Sequence, residues 1–596
     1  MLTRWGRDLD PDNPLPEYPR PQLVRPDHTW TNLNGRWQYA VATERHPDTW
    51  DGEIVVPFSP ETVLSGVGRQ LQPDEWLWYR RSFTVPSRPA GGGVLLHFGA
   101  VDQTCTVWVD GVEVGGHTGG YLPFTLDVTE SLVPNPEQTL EVRVRDVSET
   151  GLHARGKQRL DRGTIWYTAQ SGIWQTVWVE VVPEQYIDAL RVTPHLEQGV
   201  LEVVVEAAGG SRQARSPMEA TVVVRNDGLV VAEDSGPAGT PIRLMIADPR
   251  PWTPDDPHLY DLEISCGDDT VTSYAAMRSF GIGPDDRGRR RFLLNGEPIL
   301  HLGVLDQGYW PDGLLTPPSD EAMVHDIATM KSLGFTMLRK HVKIEPLRWY
   351  HHCDRLGMLV WQDMVNGGGR YRHLIATLPA TRPIRISDRR HRLYFREDAD
   401  ARAEFREEVR RTVALLRNAP AVAVWVPFNE GWGQFDANEV AAEVKELDPS
   451  RPVNHVSGWI DQGGGDVKSF HSYLRRFRLP GRWRRRLGRR AEKRVSALTE
   501  YGGYSLMVPG HDWSTREFGY RHFESAEELA DGFVALHREQ IEPAVREGLS
   551  ATVYTQLSDV EDELNGLLTW DREVLKLPEE TVRDTLRRVR EAVRSP

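Results

Sequence analysis

At 596 residues the chain is too long for one ordinary hydrophobic core, and roughly two to four domains are expected. Its 39% hydrophobic and 26% charged residues are typical of a folded globular protein and exclude a largely disordered chain. The formal net charge of -15 argues against general nucleic-acid binding, because neutralising phosphates requires a basic surface.

The N-terminal segment, residues 1–21, shows no apolar region followed by a small-residue cleavage site. No later stretch approaches the roughly 18 apolar residues that would cross a bilayer. We therefore expect a cytoplasmic protein with no membrane partner. Cys105, Cys266 and Cys353 lack the spacing of a disulfide framework or a zinc site, so buried, reduced thiols and no metal centre are expected.

Residues 1–183 form the first predicted domain. Short runs in which apolar and polar residues alternate, such as GVLLHFGAV (93–101) and LEVRVRDV (140–147), are separated by Gly, Pro and Asp turns. This pattern is typical of a β-sandwich. Residues 184–285 continue it with LEVVVEAA (201–208), and their length of about a hundred residues fits a second, smaller sandwich.

From about residue 286 to residue 596, apolar strand runs alternate with helical segments. This alternation predicts parallel strands joined by crossover helices. Eight strand runs can be read here, which is the number in a (β/α)8 barrel. In chain order the runs are EPILHLGVL, FTMLRKH, MLVWQDM, VAVWVPFN, PVNHVSG, DVKSFHSY, SALTEYGG and ATVYTQLSD.

Two of the predicted barrel strands end in a glutamate, the fourth in Asn429-Glu430 and the seventh in Glu500. Side chains from facing strands converge at the C-terminal face of such a barrel, where its active site lies. A lone buried carboxylate there costs desolvation energy, and it is more often an ion-paired or capping residue. A pair indicates a glycosidase, in which one carboxyl group protonates the leaving oxygen and an ionised one attacks the anomeric carbon. The pattern alone does not decide which glutamate has which role.

The motifs FNEGWGQ, LTEYGG, GTIWYTAQSGIWQTVWVE and MKSLGFTMLRKH resemble glycoside hydrolase family 2, which contains β-galactosidases, β-glucuronidases and β-mannosidases. The resemblance covers nearly the whole chain. It implies a jelly-roll sugar-binding-like domain, an immunoglobulin-like β-sandwich and a catalytic TIM barrel. It further implies a carbohydrate substrate, no cofactor, and retention of configuration with Glu430 as general acid/base and Glu500 as nucleophile. Assembly into a homo-oligomer is left open.

Further residues at predicted strand ends are expected to bind the substrate or to support the carboxylates. By the resemblance, Arg339 lies near the nucleophile, where a cation keeps a carboxylate ionised. Asn429 can hydrogen-bond a sugar hydroxyl, an interaction that tightens in the transition state. The other members of the predicted site are Asp363, His471, Tyr473, Gln556 and Asp559 at strand ends, and Trp166 and Tyr167 in a loop of the first domain.

The sugar is left open by the sequence. GVLDQGYWPDG stands where β-galactosidases carry a histidine-rich segment, and Asn565-Gly566-Leu567 replaces the Asn-x-Lys pair of β-glucuronidases. Lys340 and His341 are alternative contacts for a uronate carboxylate. We expect an exo-acting, β-galactosidase-like enzyme first, with β-glucuronidase, β-mannosidase or arabinosidase activity as alternatives. A non-catalytic carbohydrate-binding protein is the alternative from another class.

Two charged segments are interpreted as surface features. The basic run 475–494 is predicted to be a solvated insertion that pairs with acidic surface, rather than a site for an anionic polymer. The acidic run DVEDEL (559–564) is predicted to be an exposed turn, because its spacing is not that of an EF-hand calcium loop.

The retaining mechanism also predicts the electrostatics of the site. Glu430 should have a raised pKa, set by apolar neighbours such as Trp425, so that it stays protonated. Glu500 should have a lower pKa, set by Arg339. The two carboxyl groups should lie about 5 to 5.5 Å apart.

Overall fold

A computed structural model describes residues 1–209, 218–369, 371, 386–480, 493–513 and 516–593. The first turn of helix, α1, spans Arg4–Arg7. Most of the basic run 475–494 lies outside the described residues, so the prediction of a solvated insertion stays a prediction.

The N-terminal region is a sandwich of two antiparallel sheets. The larger sheet has the strand order β3-β2-β4-β10-β7-β8 and the smaller β1-β14-β5-β9. The predicted run 93–101 contains β5, and the run 140–147 overlaps most of β10. The strands are β1 Trp30–Asn32, β2 Gly35–Ala42, β3 Gly52–Val56, β4 Trp76–Thr84, β5 Gly93–Phe98, β6 Val101–Asp102, β7 Thr104–Val109, β8 Val112–Thr118, β9 Phe124–Asp127, β10 Glu137–Arg145, β11 Gln158–Arg159, β12 Tyr167–Thr168, β13 Gly172–Ile173 and β14 Val177–Val182.

Alternation along β10 shows why these residues form a sandwich. Leu140, Val142 and Val144 are buried in the core between the sheets, whereas Glu141 and Arg143 between them are partly exposed. A period of two places successive side chains on opposite faces of a strand, so the apolar set lies together.

The second sandwich has a three-stranded and a four-stranded sheet, ordered β15-β16-β19 and β18-β17-β20-β21. Its core is separate and consists mainly of valine, isoleucine and leucine from both sheets. The strands are β15 Gln185–His195, β16 Val200–Gly209, β17 Glu219–Asn226, β18 Leu229–Pro237, β19 Pro241–Met245, β20 Tyr260–Cys266 and β21 Asp269–Ala275.

A small antiparallel sheet, β22-β23-β24, lies between the second sandwich and the barrel. Its strands are β22 Phe280–Pro284, β23 Arg290–Leu294 and β24 Glu297–Ile299. The predicted run EPILHLGVL is therefore divided, because β24 pairs with β23 and only His301–Asp306 (β25) enters the barrel.

Seven barrel strands form one parallel sheet, in the order β28-β27-β26-β25-β35-β32-β31. The fourth strand continues beyond Pro427 as β29, and β29 pairs with the fifth strand, β30. Between β30 and β31 the Asp466 N–H donates to the Val453 carbonyl at 2.8 Å. The barrel strands are β25 His301–Asp306, β26 Met337–Lys340, β27 Leu359–Asp363, β28 Val422–Val426, β29 Phe428–Asn429, β30 Val456–Ser457, β31 Val467–Ser472, β32 Val495–Gly502 and β35 Leu549–Thr555, with β33 Tyr504–Ser505 and β34 Arg521–His522 in a loop.

Helices follow the strands as the alternation predicts. Ser319, Asp398 and Ser525 cap three of them, each side chain accepting a hydrogen bond from a first-turn N–H. The helices are α2 Asp320–Ser332, α3 Leu347–Leu356, α4 Ala399–Leu416, α5 Ala437–Leu447, α6 Ala526–Leu536, α7 Glu542–Glu547 and α8 Glu579–Glu591. None of the helices in the described ranges is long and apolar enough to cross a membrane.

The N-terminal sandwich docks onto the C-terminal face of the barrel. Ala154 forms an isolated bridge with Gly367, in the loop after the third barrel strand. Tyr121 and Trp174 of the sandwich are buried in the same apolar cluster as the barrel core. All three cysteines are free and buried, as predicted.

Candidate active site

Glu430 and Glu500 lie together at the C-terminal end of the barrel. One oxygen of each carboxylate and a ring nitrogen of His471 all lie within 4.8 Å of one another. The glutamates are nearly buried, with 7% and 5% of their surface exposed. Two strands that are far apart in sequence thus bring two carboxylates within the reach of one substrate atom.

A tight turn places Glu430 at the end of its strand. Its backbone has a left-handed φ of 51°, and Gly431 follows with a φ of 77°. The left-handed conformation costs on the order of 1 kcal/mol for a residue with a Cβ. The Glu430 N–H donates to the Ser457 carbonyl of β30 at 3.0 Å, which holds the turn against the neighbouring strand.

Arg339 connects Glu500 to the rest of the site. Its guanidinium donates to Glu500 Oε1 at 2.9 Å, to both oxygens of Asp363 at 3.1 and 2.9 Å, and to Asn429 Oδ1 at 2.8 Å. His341 Nδ1 is hydrogen-bonded to Asp363 at 2.7 Å. Arg339 is completely buried, so all of its charge is neutralised by these carboxylates rather than by water.

His471 lies between the two glutamates. Its Nδ1 is 2.6 Å from Glu430 Oε1 and 3.4 Å from Glu500 Oε2, and its Nε2 is hydrogen-bonded to Ser457 Oγ at 2.9 Å. Tyr473 donates from its hydroxyl to Glu500 Oε2 at 2.5 Å. Among the described residues, Glu500 therefore receives hydrogen bonds on both oxygens, whereas Glu430 receives one, from His471.

The two glutamates have opposite charge preferences. Burial raises the pKa of Glu430, and the nearby Glu500 carboxylate raises it further. Burial also acts to raise the pKa of Glu500, but His471 and Arg339 together lower it to about 2. Glu430 thus favours its neutral form and Glu500 its ionised form. The directions match the expectation, and burial is the largest cause at Glu430. The indole N–H of Trp425 donates to Asp448 at 3.0 Å.

Aromatic rings form one wall of the site. Trp166 of the N-terminal sandwich lies 5.3 Å from Trp432 and 5.7 Å from Tyr371, measured between ring centres. The Tyr473 ring stacks on Tyr520 at 3.9 Å. Flat apolar surfaces beside paired carboxylates suit the apolar face of a sugar ring.

Several buried donors at the mouth have no partner within the described part of the chain. They are Asn429 Nδ2, Trp432 Nε1 and Gln556 Nε2, while Gln556 Oε1 accepts from Gln307 at 2.7 Å. Buried polar groups are normally paired, and a ligand rich in hydroxyl groups supplies the missing acceptors.

Two predicted site residues, Asp559 and Tyr167, are engaged by neighbouring protein groups around the site. Asp559 forms an ion pair with Lys576 at 2.6 Å and accepts from the Gly566 N–H at 2.8 Å. Tyr167 is fully buried, and its hydroxyl donates to Glu563. The acidic run 559–564 is accordingly a buried turn against the N-terminal sandwich, and the expectation of an exposed turn is wrong.

The alternative uronate contacts are also occupied. Lys340 donates to Asp306 at 2.6 Å and to Glu345 at 2.7 Å, in a buried network below the site. Burial, with the charges of Lys157 and Arg339, holds the pKa of His341 well below its usual range, so that ring is neutral. Neither residue offers a free cation.

Sequence reasoning missed Lys157, Trp432, Tyr520 and Tyr371. Trp432 could have been found, because it lies two residues after Glu430 in the motif that identified the strand end. The others come from loops whose path is fixed only by tertiary contacts. Lys157 is the farthest in sequence, and its ammonium lies 5.7 Å from the centre of the Trp432 ring.

Glu430, His471 and Glu500 also present the spacing of a metal site within the described residues. The ligand atoms are already hydrogen-bonded to one another or to Arg339 and Tyr473. A cation there would occupy the space between the carboxylates that a reacting carbon needs. The arrangement therefore fits acid/base and nucleophilic chemistry between two carboxylates.

Sequence comparison agrees with this geometry. The TIM barrel domain model of glycosyl hydrolases family 2 matches residues 289–576. The galactose-binding domain-like model of the same family matches residues 61–174, and a third family 2 model matches residues 185–282. The chain belongs to glycoside hydrolase family 2. The three-domain architecture implied by the sequence motifs is confirmed.

Family 2 relatives carry different activity names. A β-galactosidase of Thermoanaerobacter pseudethanolicus is 24% identical over 73% of this chain and 55% of its own length. A putative β-glucuronidase of Formosa agariphila is 25% identical over 66% of this chain and 36% of its own length. The chain spans about half the length, or less, of these curated relatives.

Solved family 2 structures share the fold along nearly the whole chain. A β-glucuronidase of an uncultured Clostridium has a TM-score of 0.71 and 19% identity, covering 95% of this chain and 99% of its own. A β-galacturonidase of Eisenbergiella tayi bound to galacturonate has a TM-score of 0.69 and 20% identity, with the same coverage.

Proposed function

We propose that this chain is a retaining exo-glycosidase that hydrolyses O-glycosidic bonds at the non-reducing end of small β-glycosides or oligosaccharides. The observation that carries the proposal is the carboxylate pair, with an oxygen of Glu430 within 4.8 Å of an oxygen of Glu500. Retaining enzymes hold their carboxyl groups about 5 to 5.5 Å apart, whereas inverting enzymes leave about 6.5 to 9.5 Å for a water molecule.

The charge states support one assignment of roles. Glu500, with its pKa lowered to about 2, is ionised and serves as the nucleophile. Glu430, with its raised pKa, is the general acid/base. Arg339 and Tyr473 each donate to one oxygen of Glu500, which orients the carboxylate toward the anomeric carbon.

The reaction then has two steps. Glu500 attacks the anomeric carbon while Glu430 gives its proton to the departing glycosidic oxygen, which leaves a glycosyl-enzyme ester. Glu430, now ionised, takes a proton from water, and the resulting hydroxide equivalent displaces Glu500 from the same face that the leaving group had occupied. Two inversions give net retention. Asn429, held by Arg339 at 2.8 Å, keeps its amide donor group for a substrate hydroxyl.

The surroundings of the pair support an exo action. Three features border the mouth of the site. They are the sandwich loop with Trp166, the Trp432 ring that it contacts, and the buried acidic turn that accepts from the Thr168 N–H. A mouth enclosed in this way accepts the end of a chain more readily than its middle. β-Galactosides are the first substrates to test, and β-glucuronides are the alternative, because relatives carry both names.

A panel of 4-nitrophenyl β-glycosides tests the proposal. We expect hydrolysis of at least one member, a product of retained anomeric configuration by proton NMR, and loss of turnover in Glu500→Gln. A 2-deoxy-2-fluoro glycoside of the preferred sugar should label the protein, and peptide mass mapping should find the label on Glu500. Binding of sugars without turnover, or a label on another residue, would contradict the proposal.

A further inference from the structure

Lys157 belongs to the N-terminal sandwich, but its ammonium group lies at the barrel mouth. The residue is only 5% exposed. Its Nζ lies 5.3 Å from the centre of the Tyr167 ring and 5.7 Å from that of Trp432. Its charge is close enough to Glu430 to lower the pKa of that carboxyl group. The ammonium therefore borders the space in which a substrate would meet the acid/base.

Among the described residues, Lys157 Nζ has no hydrogen-bond acceptor and no carboxylate partner, and it faces the Tyr167 and Trp432 rings. Two other buried cations near the mouth are paired with carboxylates. Arg339 forms ion pairs with Asp363 and Glu500. Lys340 forms ion pairs with Asp306 and Glu345. An ammonium on a residue only 5% exposed has lost much of its hydration, and aromatic faces compensate only part of that loss.

The backbone around Lys157 is fixed on both sides. The Arg155 and Gly156 N–H groups donate to the Asn366 carbonyl of the barrel at 3.0 and 3.1 Å. The Lys157 carbonyl accepts from the Tyr167 N–H at 3.0 Å. Gly156, with a φ of 61°, lies so close to the barrel that an added Cβ would be 2.9 Å from the Val342 carbonyl oxygen. The backbone that carries Lys157 is thus fixed before any ligand arrives.

We propose that Lys157 is a specificity-determining residue that binds a carboxylate carried by the substrate sugar, which makes β-linked uronosides the substrate class. The proposal rests on the glycosidase function proposed above for the same site. An anionic acceptor compensates a buried ammonium best, because charge-assisted hydrogen bonds are about twice as strong as neutral ones. Lys157 would then be the cation that binds the uronate carboxylate. The chain lacks the Asn-x-Lys pair for this role, and Lys340 is already paired with Asp306 and Glu345.

Matched substrates test this assignment. The kcat/KM values for 4-nitrophenyl β-D-galacturonide and β-D-glucuronide should exceed those for the corresponding galactoside and glucoside. In Lys157→Met, uronoside kcat/KM should fall by about 10- to 150-fold, the loss of one hydrogen bond to a charged group, with less than a tenfold change for the neutral sugars. Lys157→Arg should keep part of the preference. Lys493→Met removes an exposed lysine and serves as the control.

Binding separates failure of this assignment from failure of the glycosidase function. In calorimetry, Glu500→Gln should bind free galacturonate or glucuronate at least about tenfold more tightly than galactose or glucose, and Lys157→Met in that background should abolish the difference. This result would support Lys157 even if no aryl glycoside were hydrolysed. Equal uronoside kcat/KM in wild type and Lys157→Met, or tighter binding of neutral sugars than of uronates, would overturn the role of Lys157. Turnover of neutral glycosides in the same experiments would leave the glycosidase function intact.

Discussion

Glu430 and Glu500 carry the same carboxyl group, yet their neighbours give them opposite charge states. Arg339 donates to Glu500 at 2.9 Å and Tyr473 donates to it at 2.5 Å. At Glu430, the lowering of the pKa by His471 and Lys157 is smaller than the raising by burial and by Glu500. A carboxylate held ionised is suited to attack, and one held neutral is suited to give a proton. Substitutions at each position should therefore have different kinetic signatures.

Glu430→Ala should lower kcat/KM by about 10²- to 10⁴-fold for substrates with poor leaving groups, because proton donation is lost. An activated dinitrophenyl glycoside should lose much less, since its leaving group departs without a proton. Added azide should give a glycosyl azide of retained configuration. In Glu500→Gly, azide should instead restore cleavage with inversion, as the anion attacks from the vacated side. NMR of the two azides checks both roles, and exchanged outcomes would reverse them.

The pH profile of kcat/KM should be bell-shaped. Activity falls at low pH as Glu500 is protonated, and at high pH as Glu430 loses its proton through its raised pKa. His471 lowers the pKa of both carboxyl groups. In His471→Phe both limbs should therefore move to higher pH. Trp459→Phe, at a ring that packs on His471 at 5.4 Å between ring centres and carries no charge, should leave both limbs in place. Limbs that stay fixed in His471→Phe would contradict this account.

At the scale of the elements, the sandwich loop and the barrel approach each other closely at Gly367. An added Cβ on Gly367 would lie 2.1 Å from the His153 carbonyl oxygen and 2.8 Å from Ala154 Cα, both backbone atoms. Gly367→Ala should push this loop away and displace Trp166 and Lys157. Misplacement of about 1 Å costs up to about 10²-fold in rate.

The expected result for Gly367→Ala is a fall in kcat/KM with an unchanged far-UV circular dichroism spectrum. Gly281→Ala is the matched control, because its added Cβ would make only ordinary contact with Leu293, at 3.8 Å. Full activity in Gly367→Ala would show that the loop is not needed to complete the site.

For the molecule as a whole, Asp354 links the second sandwich to the barrel. It is completely buried, accepts from the Tyr274 hydroxyl at 2.7 Å and from the Ala421 N–H at 2.7 Å. Burial raises its pKa from 3.8 to about 7. Its contribution to stability is therefore fully present below about pH 4 and is lost as the pH rises through about 7.

Thermal unfolding between about pH 4 and pH 8 checks this linkage. Ionisation of Asp354 should lower the free energy of unfolding by on the order of 4 kcal/mol at high pH, at about 1.36 kcal/mol per pKa unit. Asp354→Asn mimics the neutral acid and should lose less stability across this range than the wild type. The same pH slope in both proteins would assign the effect to other groups.

The sequence by itself determined the elements and the order of the domains. The alternation of apolar and polar residues in LEVRVRDV predicts strand β10. The later change to alternating strands and helices predicts the barrel. Both can be read locally, because a strand or helix that buries one face repeats its apolar residues at a fixed spacing. The same periods placed Asn429-Glu430 and Glu500 at strand ends. Position at a strand end is a local property, so one sequence suffices to read it.

Only the tertiary structure decided which strand-end residues belong to the site. Asp559 and Glu500 are both carboxylates at predicted strand ends. In the structure Asp559 forms an ion pair with Lys576, whereas Glu500 lies beside Glu430. Lys157 reaches the mouth because backbone hydrogen bonds from Arg155 and Gly156 to Asn366 fold a sandwich loop over the barrel. Such contacts join residues hundreds of positions apart, and their geometry depends on how whole domains pack rather than on any local period.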